Sequence, residues 1–426
     1  MNFLQFAVWG AYLTSMGNYL GNAGLGANIG LFYSIQGIVS IFMPALMGIV
    51  ADRWIPAQKL LGICHAIAGS LMIAAGWYGL TNPVVEFSTL FTIYSLSVAF
   101  YMPTLALSNS VAYTALDKAG LDTVKAFPPI RVFGTIGFIC TMWIVNILGF
   151  KDTISWSTIT LFEENSLSFQ STAAQYAISG AIGLLLAVYS FTLPECPIAK
   201  NNTKKSLVEA LGLNAFALFK EYRMAIFFIF SMLLGMMLQI TNGYANPFIS
   251  SFGAYPEFAD TFGVKYANIL ISLSQVSETL CILLIPFFLK KFGIKRVMLI
   301  AMLAWALRFG FFGLGNPGNG VWLFIFSMIV YGMAFDFFNI SGSLFVDKEV
   351  GTNLRSSAQG LFMMMTNGLG ATIGVLAAQA IVNNYCQYNE TSHLVGDWTT
   401  VWYIFAGFAL LVAIAFALIF REKATK

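Results

Sequence analysis

Apolar runs of helical length recur along the whole chain, separated by short polar turns. A helix of roughly 20 apolar residues crosses the ~30 Å hydrocarbon core of a bilayer. The runs predict twelve such helices: 3–22, 29–51, 58–80, 88–113, 129–150, 171–193, 224–250, 264–289, 295–315, 320–345, 356–383 and 399–420. The pattern is that of an all-α membrane protein. Arg131, Glu278 and Asp336 stand out as ionisable residues within it. A charge at the centre of a membrane helix costs roughly 2.5–3.5 kcal/mol on insertion scales, so it is kept where it faces a bundle interior or a watery cavity. Two acids and one base inside a helical bundle point to a transporter for a polar solute, driven by protons.

Composition agrees with the pattern. The 426 residues are 58% hydrophobic and 10% charged, too little charge to cover a soluble protein of this size. Of 22 Lys and Arg, the span count places 18 in the loops and ends on one side. Lys151 and Lys265 fall on the other side, and Arg131 and Arg308 fall within spans. By the positive-inside rule both termini are cytoplasmic. The first run begins at Phe3 with no basic leader, so it reads as a span and not as a signal peptide. The five cysteines are odd in number and scattered, which predicts neither a disulfide framework nor a metal site. The net charge of +3 is accounted for by the cytoplasmic loops and implies no nucleic-acid partner.

The longest basic polar stretch, 194–223, divides the chain into two halves, 1–193 and 224–426, of six helices each. Within it, 206–219 has helical apolar spacing suited to the inner membrane surface. The halves echo each other. Pro44 and Pro286 each precede a short basic turn, and Gly17-Asn18-Tyr19-Leu20-Gly21-Asn22 matches Asn242-Gly243-Tyr244-Ala245-Asn246-Pro247 in character. Paired Gly/Pro-interrupted helices in two halves mark transporters whose halves rock about a central site.

Gly48-Ile49-Val50-Ala51-Asp52-Arg53-Trp54 resembles the loop signature of the major facilitator superfamily, in which an Asp and basic residues latch the cytoplasmic helix ends. More specific stretches resemble the bacterial nucleoside:proton symporters of the high-affinity permease type. They are Phe127-Pro128-Pro129-Ile130-Arg131-Val132-Phe133-Gly134-Thr135-Ile136-Gly137-Phe138, the run from Ala225 to Gly235, and the run from Met328 through Asp336 to Gly342. The match covers essentially the whole chain. Residues 151–170 depart most, being longer than that family leads one to expect, in a loop predicted to be external. The resemblance implies twelve helices in two pseudo-symmetric six-helix halves.

The residues themselves show what such a site could hold. Arg131, Thr135 and Phe138 stand at i, i+4 and i+7, on one helix face. A cation, a hydroxyl and a flat aromatic suit a nucleobase, which needs edge hydrogen bonds and a stacking surface. The other reading has Arg131 snorkel to the cytoplasmic interface, since Pro128 and Pro129 suggest a helix start or kink close by. Gln239 and Asn242 put two amides on one face, as pocket groups or as bonds to another helix. Gln275 and Glu278 pair an amide with a carboxylate, which suits the paired hydroxyls of a ribose. Tyr331 and Phe335 face together at i, i+4, and Asp336 stands about 100° round the helix from Phe335. Aromatic pairs at this spacing are as common in cores. The resemblance places Arg131, Thr135, Phe138, Gln239, Asn242, Gln275, Glu278, Tyr331 and Phe335 around a nucleoside, with Asp336 adjacent. His65 reads as a packing residue, and Arg308 as one that snorkels or braces a neighbour.

The sequence therefore reads as a multi-pass inner-membrane protein, a monomer with no cofactor, that takes up nucleosides such as uridine and adenosine with protons. Asp336, ahead of Glu278, is the leading proton carrier. A proton brings about 2.3 kcal/mol per 100 mV to a neutral solute. The alternative of the same fold is a sugar:proton symporter. An enzyme is poorly supplied by two His and no Gly-x-Ser-x-Gly elbow or nucleotide-binding Gly loop.

Overall fold

The computed structural model describes residues 1–151, 153–161, 166–198, 213–350 and 355–420. They form two compact units, Met1–Lys205 and Ser206–Lys426. Among the described residues, nine helices are long and apolar enough to cross a membrane, and Ala174–Ser190 is apolar but shorter.

The first unit contains α1 (Asn2–Gly10), α2 (Met16–Asn22), α3 (Ile29–Arg53), α4 (Ala57–Thr81), α5 (Phe87–Lys118), α6 (Thr123–Ile147) and α7 (Ala174–Ser190). The predicted span 3–22 is thus two helices, with a turn between Gly10 and Met16. The turn lets Ser15 donate to the Gln175 amide oxygen at 2.9 Å, and Asn18 donates to Ser171 at 3.1 Å. Lipid is as apolar as a leucine side chain, so helices associate there through close packing and interhelical hydrogen bonds. Gln5 is a hub of such bonds. Its amide donates to Thr104 Oγ1 at 2.8 Å, its carbonyl Oε1 meets His65 Nε2 at 2.8 Å, and Tyr101 donates to its backbone carbonyl at 2.8 Å. One residue of α1 thereby ties α4 and α5, and His65 is the packing residue its position suggested.

After α6 the chain leaves the helical pattern. Strands β1 (Leu148–Phe150), β2 (Ile159–Leu161) and β3 (Leu167–Ser168) make an antiparallel sheet in the order β2-β1-β3. Gly149 lies opposite Thr160 on one side and Ser168 on the other. Phe150, Trp156 and Phe169 cluster beside it. This sheet was not expected from the sequence, where the segment reads only as a long loop.

The second unit contains α8 (Tyr222–Ser251), α9 (Ala267–Leu314), α10 (Val321–Glu349), α11 (Arg355–Met363), α12 (Ala371–Tyr385) and α13 (Trp398–Ile419). The 48 residues of α9 are two arms that meet at Gly293, where φ is +76°. Such a φ is open to glycine and strained for a side chain. The predicted spans 264–289 and 295–315 are these arms. A π-helical stretch, Met364–Gly370, joins α11 to α12, and a hairpin of β4 (Cys386–Tyr388) and β5 (Leu394–Gly396) leads into α13. Asp397 caps α13 by accepting from Thr400 Oγ1 at 2.6 Å and from its N–H at 3.0 Å, and these bonds hold its carboxyl below the ordinary value. The core of the unit is aromatic: Trp402 lies among Phe248, Phe309, Phe312 and Phe405.

The Asp52 side chain and residues 199–212, which carry half of the predicted surface segment 206–219, lie outside the described residues. The remainder of that segment is 3-10 helix, Leu213–Lys220.

Candidate functional site

In the first unit the candidates sit on α6, which lies against α1. Thr141 of α6 donates to the Ala7 carbonyl at 2.9 Å. The Arg131 guanidinium carbon stands 3.8 Å above the centroid of the Phe6 ring. Phe6 abuts Gly134, and Arg131 Nη1 lies beside the same glycine. Gly134 is further along α6 than Arg131, so the guanidinium lies towards the C-terminal side of its own position on the helix. Arg131 and Phe6 are both half-buried, and a cation over an aromatic ring gains about 0.5–1 kcal/mol when exposed and about 2 kcal/mol when desolvated. Tyr101 of α5 lies within electrostatic reach of the same charge. Thr135 is half-buried on the Arg131 face, and Phe138 is 7% exposed. The helix begins at Thr123, so Pro128 and Pro129 lie within it and do not open it.

In the second unit the candidates come from α8, the first arm of α9, and α10. Asn242 donates to the Gln239 amide oxygen at 3.0 Å, so these two amides satisfy each other along α8. That leaves the Asn242 oxygen and the Gln239 NH2 group for other partners. On α9, Gln275 and Glu278 are half-buried. Close by, Ser277 donates to the Ile329 carbonyl and fixes α9 against α10. On α10, Tyr331 and Phe335 stack with centroids 5.7 Å apart and planes 11° from parallel. Asp336 is 5% exposed. Glu278 and Asp336 both act electrostatically on Tyr331 and Cys281, which brings the two acids to one neighbourhood.

One more charge lies in that neighbourhood, read from the sequence as snorkelling or bracing a neighbour. Arg308, on the second arm of α9, is 2% exposed, so it does not snorkel. Its Nη1 donates to the Ser327 carbonyl at 2.8 Å and to Ser274 Oγ at 3.3 Å. Its guanidinium carbon lies 4.5 Å over the Tyr331 ring. The partners that Arg308 braces, and Phe6 beneath Arg131, were not foreseen. Neither Arg308 nor Phe6 carries a signal at short spacing, because each meets its partners only through packing of distant segments.

A cleft of about 270 Å³ lies elsewhere in this unit, lined by Phe252, Tyr255, Phe258, Asp397 and Trp398 among others, and by none of the candidates. It opens where the β4–β5 hairpin enters α13.

The arrangement can stack a flat ring, hydrogen-bond its edges and hold a proton on a buried acid. The sequence matches the Nucleoside H+ symporter family over residues 1–425. The chain belongs to that family. It is 49% identical to the xanthosine permease of Escherichia coli over 421 residues, covering 98% of this chain and 93% of that protein. The nucleoside permease NupG of the same organism is 47% identical over 426 residues, covering 99% and 95%. A crystal structure of a NupG mutant superposes with a TM-score of 0.88 at 46% identity, covering 99% of this chain and 98% of that one. A D-xylose–proton symporter, at 14% identity and a TM-score of 0.67, shares the fold alone. The chain is therefore a multi-pass transporter of the major facilitator type and not an enzyme, and its work is proton-coupled nucleoside uptake.

Proposed function

We propose that uridine and adenosine are carried by alternating access of two six-helix halves, 1–193 and 224–426, joined by the linker 194–223. In this reading the chain makes twelve crossings as a monomer, and both termini are cytoplasmic, as the 18-to-2 split of basic residues argues. Arg131, Thr135 and Phe138 recognise the base from the first half. Gln239 and Asn242 meet polar edges, Gln275 and Glu278 accept from the ribose hydroxyls, and Tyr331 with Phe335 forms the stacking wall.

Asp336 carries the proton. A carboxylate binds its proton in a dry setting and sheds it beside water or a cation. Rocking of the halves changes that setting once per cycle, which couples proton entry to solute entry. Asp336 lies one residue past the stacking wall, so it senses the pocket without holding the substrate.

The observation that carries this reading is the parallel Tyr331–Phe335 pair in the field of Glu278 and Asp336. A sugar site has less use for a flat aromatic wall than a nucleoside site has. Competition for uridine uptake tests it. Unlabelled adenosine is expected to block labelled uridine uptake, and excess ribose is expected to leave it intact. Strong inhibition by ribose together with indifference to adenosine would assign the site to sugars.

A further inference from the structure

We infer that Arg308 is a positioning residue for the nucleoside wall, acting through Tyr331. This rests on the reading of Tyr331 and Phe335 as pocket residues.

A guanidinium this deep in a membrane bundle is unfavourable unless something is gained by it. The described partners of Arg308 are neutral: the Ser327 carbonyl, Ser274 Oγ and the faces of Tyr331 and Phe312. Its Nε is buried with no hydrogen-bond partner among the described residues. A set of this kind is a poor source of stability, since a well-packed apolar side chain of similar volume commonly does as well or better. What an apolar side chain cannot supply is orientation. The planar guanidinium lies 4.5 Å over Tyr331, and Trp305 meets that ring edge-on at 90° with centroids 6.0 Å apart. Tyr331 in turn stacks on Phe335. The ring is thereby in contact with a cation, an indole and a phenyl. Ser274 and Ser327 hold the guanidinium itself, from the first arm of α9 and from α10. The chain of contacts runs from Ser327 through Arg308 and Tyr331 to Phe335.

Lysine keeps the charge but loses the plane and the fork of donors. Arg308→Lys is therefore expected to weaken uridine binding through a misplaced Tyr331. The test is a double-mutant cycle on purified full-length protein in detergent, reading uridine affinity for wild type, Arg308→Lys, Tyr331→Leu and the double variant. Each single change is expected to weaken binding about tenfold, a size typical of a buried cation–π contact, and the double variant to bind no worse than Tyr331→Leu alone. In proteoliposomes Arg308→Lys is expected to raise KM for uridine with Vmax nearly kept. Losses that multiply in the double variant, or a fall in Vmax at constant KM, would overturn the positioning role. Unchanged affinity in Arg308→Lys would also overturn it. Unchanged affinity in Tyr331→Leu would remove the pocket reading instead, and the inference with it. If Arg308→Lys does not fold, Ser274→Ala takes its place in the cycle, since it removes the hydroxyl that accepts from Arg308 Nη1 at 3.3 Å. It loosens the same clamp, and an effect that persists without Tyr331 counts against the proposal.

Discussion

Arg308 and Ser327 each donate a hydrogen bond to the other's backbone carbonyl. Arg308 Nη1 reaches Ser327 O at 2.8 Å, and Ser327 Oγ reaches Arg308 O at 2.9 Å. The exchange locks the second arm of α9 to α10 at one level. Tyr331, one helical turn beyond Ser327, then lies over the guanidinium. A helix pair in lipid has few directional contacts, so a reciprocal clamp fixes level and rotation together. The aromatic wall inherits that placement.

Glu278→Gln is expected to reduce nucleoside binding strongly. The amide keeps the size but donates where an acceptor is wanted, and a mismatched buried polar group costs about 1–3 kcal/mol. A deoxyribonucleoside is expected to lose less than its ribonucleoside. Affinity titrations on the purified variant check this, and wild-type affinity would move the ribose contact elsewhere.

Phe138→Ala and Phe335→Ala are each expected to weaken binding by roughly 1–3 kcal/mol, the range for a base stacked on an aromatic side chain. Phe138 is 7% exposed and Phe335 is half-buried, so the larger loss is expected at Phe335. Calorimetry with uridine reads both. Unchanged affinity in the pair would return these rings to the core.

Gly374→Leu is expected to lower the thermal stability of the folded protein. A Cβ at Gly374 would lie 1.9 Å from the Met236 carbonyl oxygen, so α12 and α8 must separate. Overpacking of this kind costs typically 1–3 kcal/mol. Leu418→Ala, at a side chain 74% exposed on α13, is the control and is expected to leave the melting temperature unchanged. Equal melting temperatures for Gly374→Leu and wild type would contradict the close approach.

Local patterns were legible in the sequence, and relations made by packing were not. Apolar runs announced the helices, and the turn at Gly293 fell between two predicted spans. Gln239 with Asn242, and Tyr331 with Phe335, could be paired because helical geometry fixes neighbours three and four residues apart. The break between α1 and α2 was hidden, because residues 11–15 are nearly as apolar as the helices they join and the turn answers to Gln175, far along the chain. The sheet at β1–β3 was hidden because its strands are two or three residues long. Arg308 read as snorkelling or bracing a neighbour, and nothing near it in sequence reveals that Ser274 and Ser327 are what it braces. Phe6 gained its place under Arg131 only once α1 lay against α6.

Asp336→Asn is expected to abolish proton-driven accumulation while sparing nucleoside binding to detergent-solubilised protein. The amide imitates a permanently protonated carboxyl, so exchange of labelled for unlabelled uridine across the membrane is expected to survive. Accumulation that persists in this variant would pass the proton to Glu278 and merge the proton and substrate sites.

Nucleoside entry depends on proton entry. Labelled uridine uptake into proteoliposomes holding the full chain tests it most directly. With the outside acidic, uridine is expected to rise inside above its external concentration, and a proton uncoupler is expected to return it to equality. Uptake that stops at equal concentrations with the gradient intact, and that the uncoupler leaves unchanged, would make the protein a passive facilitator and contradict the account.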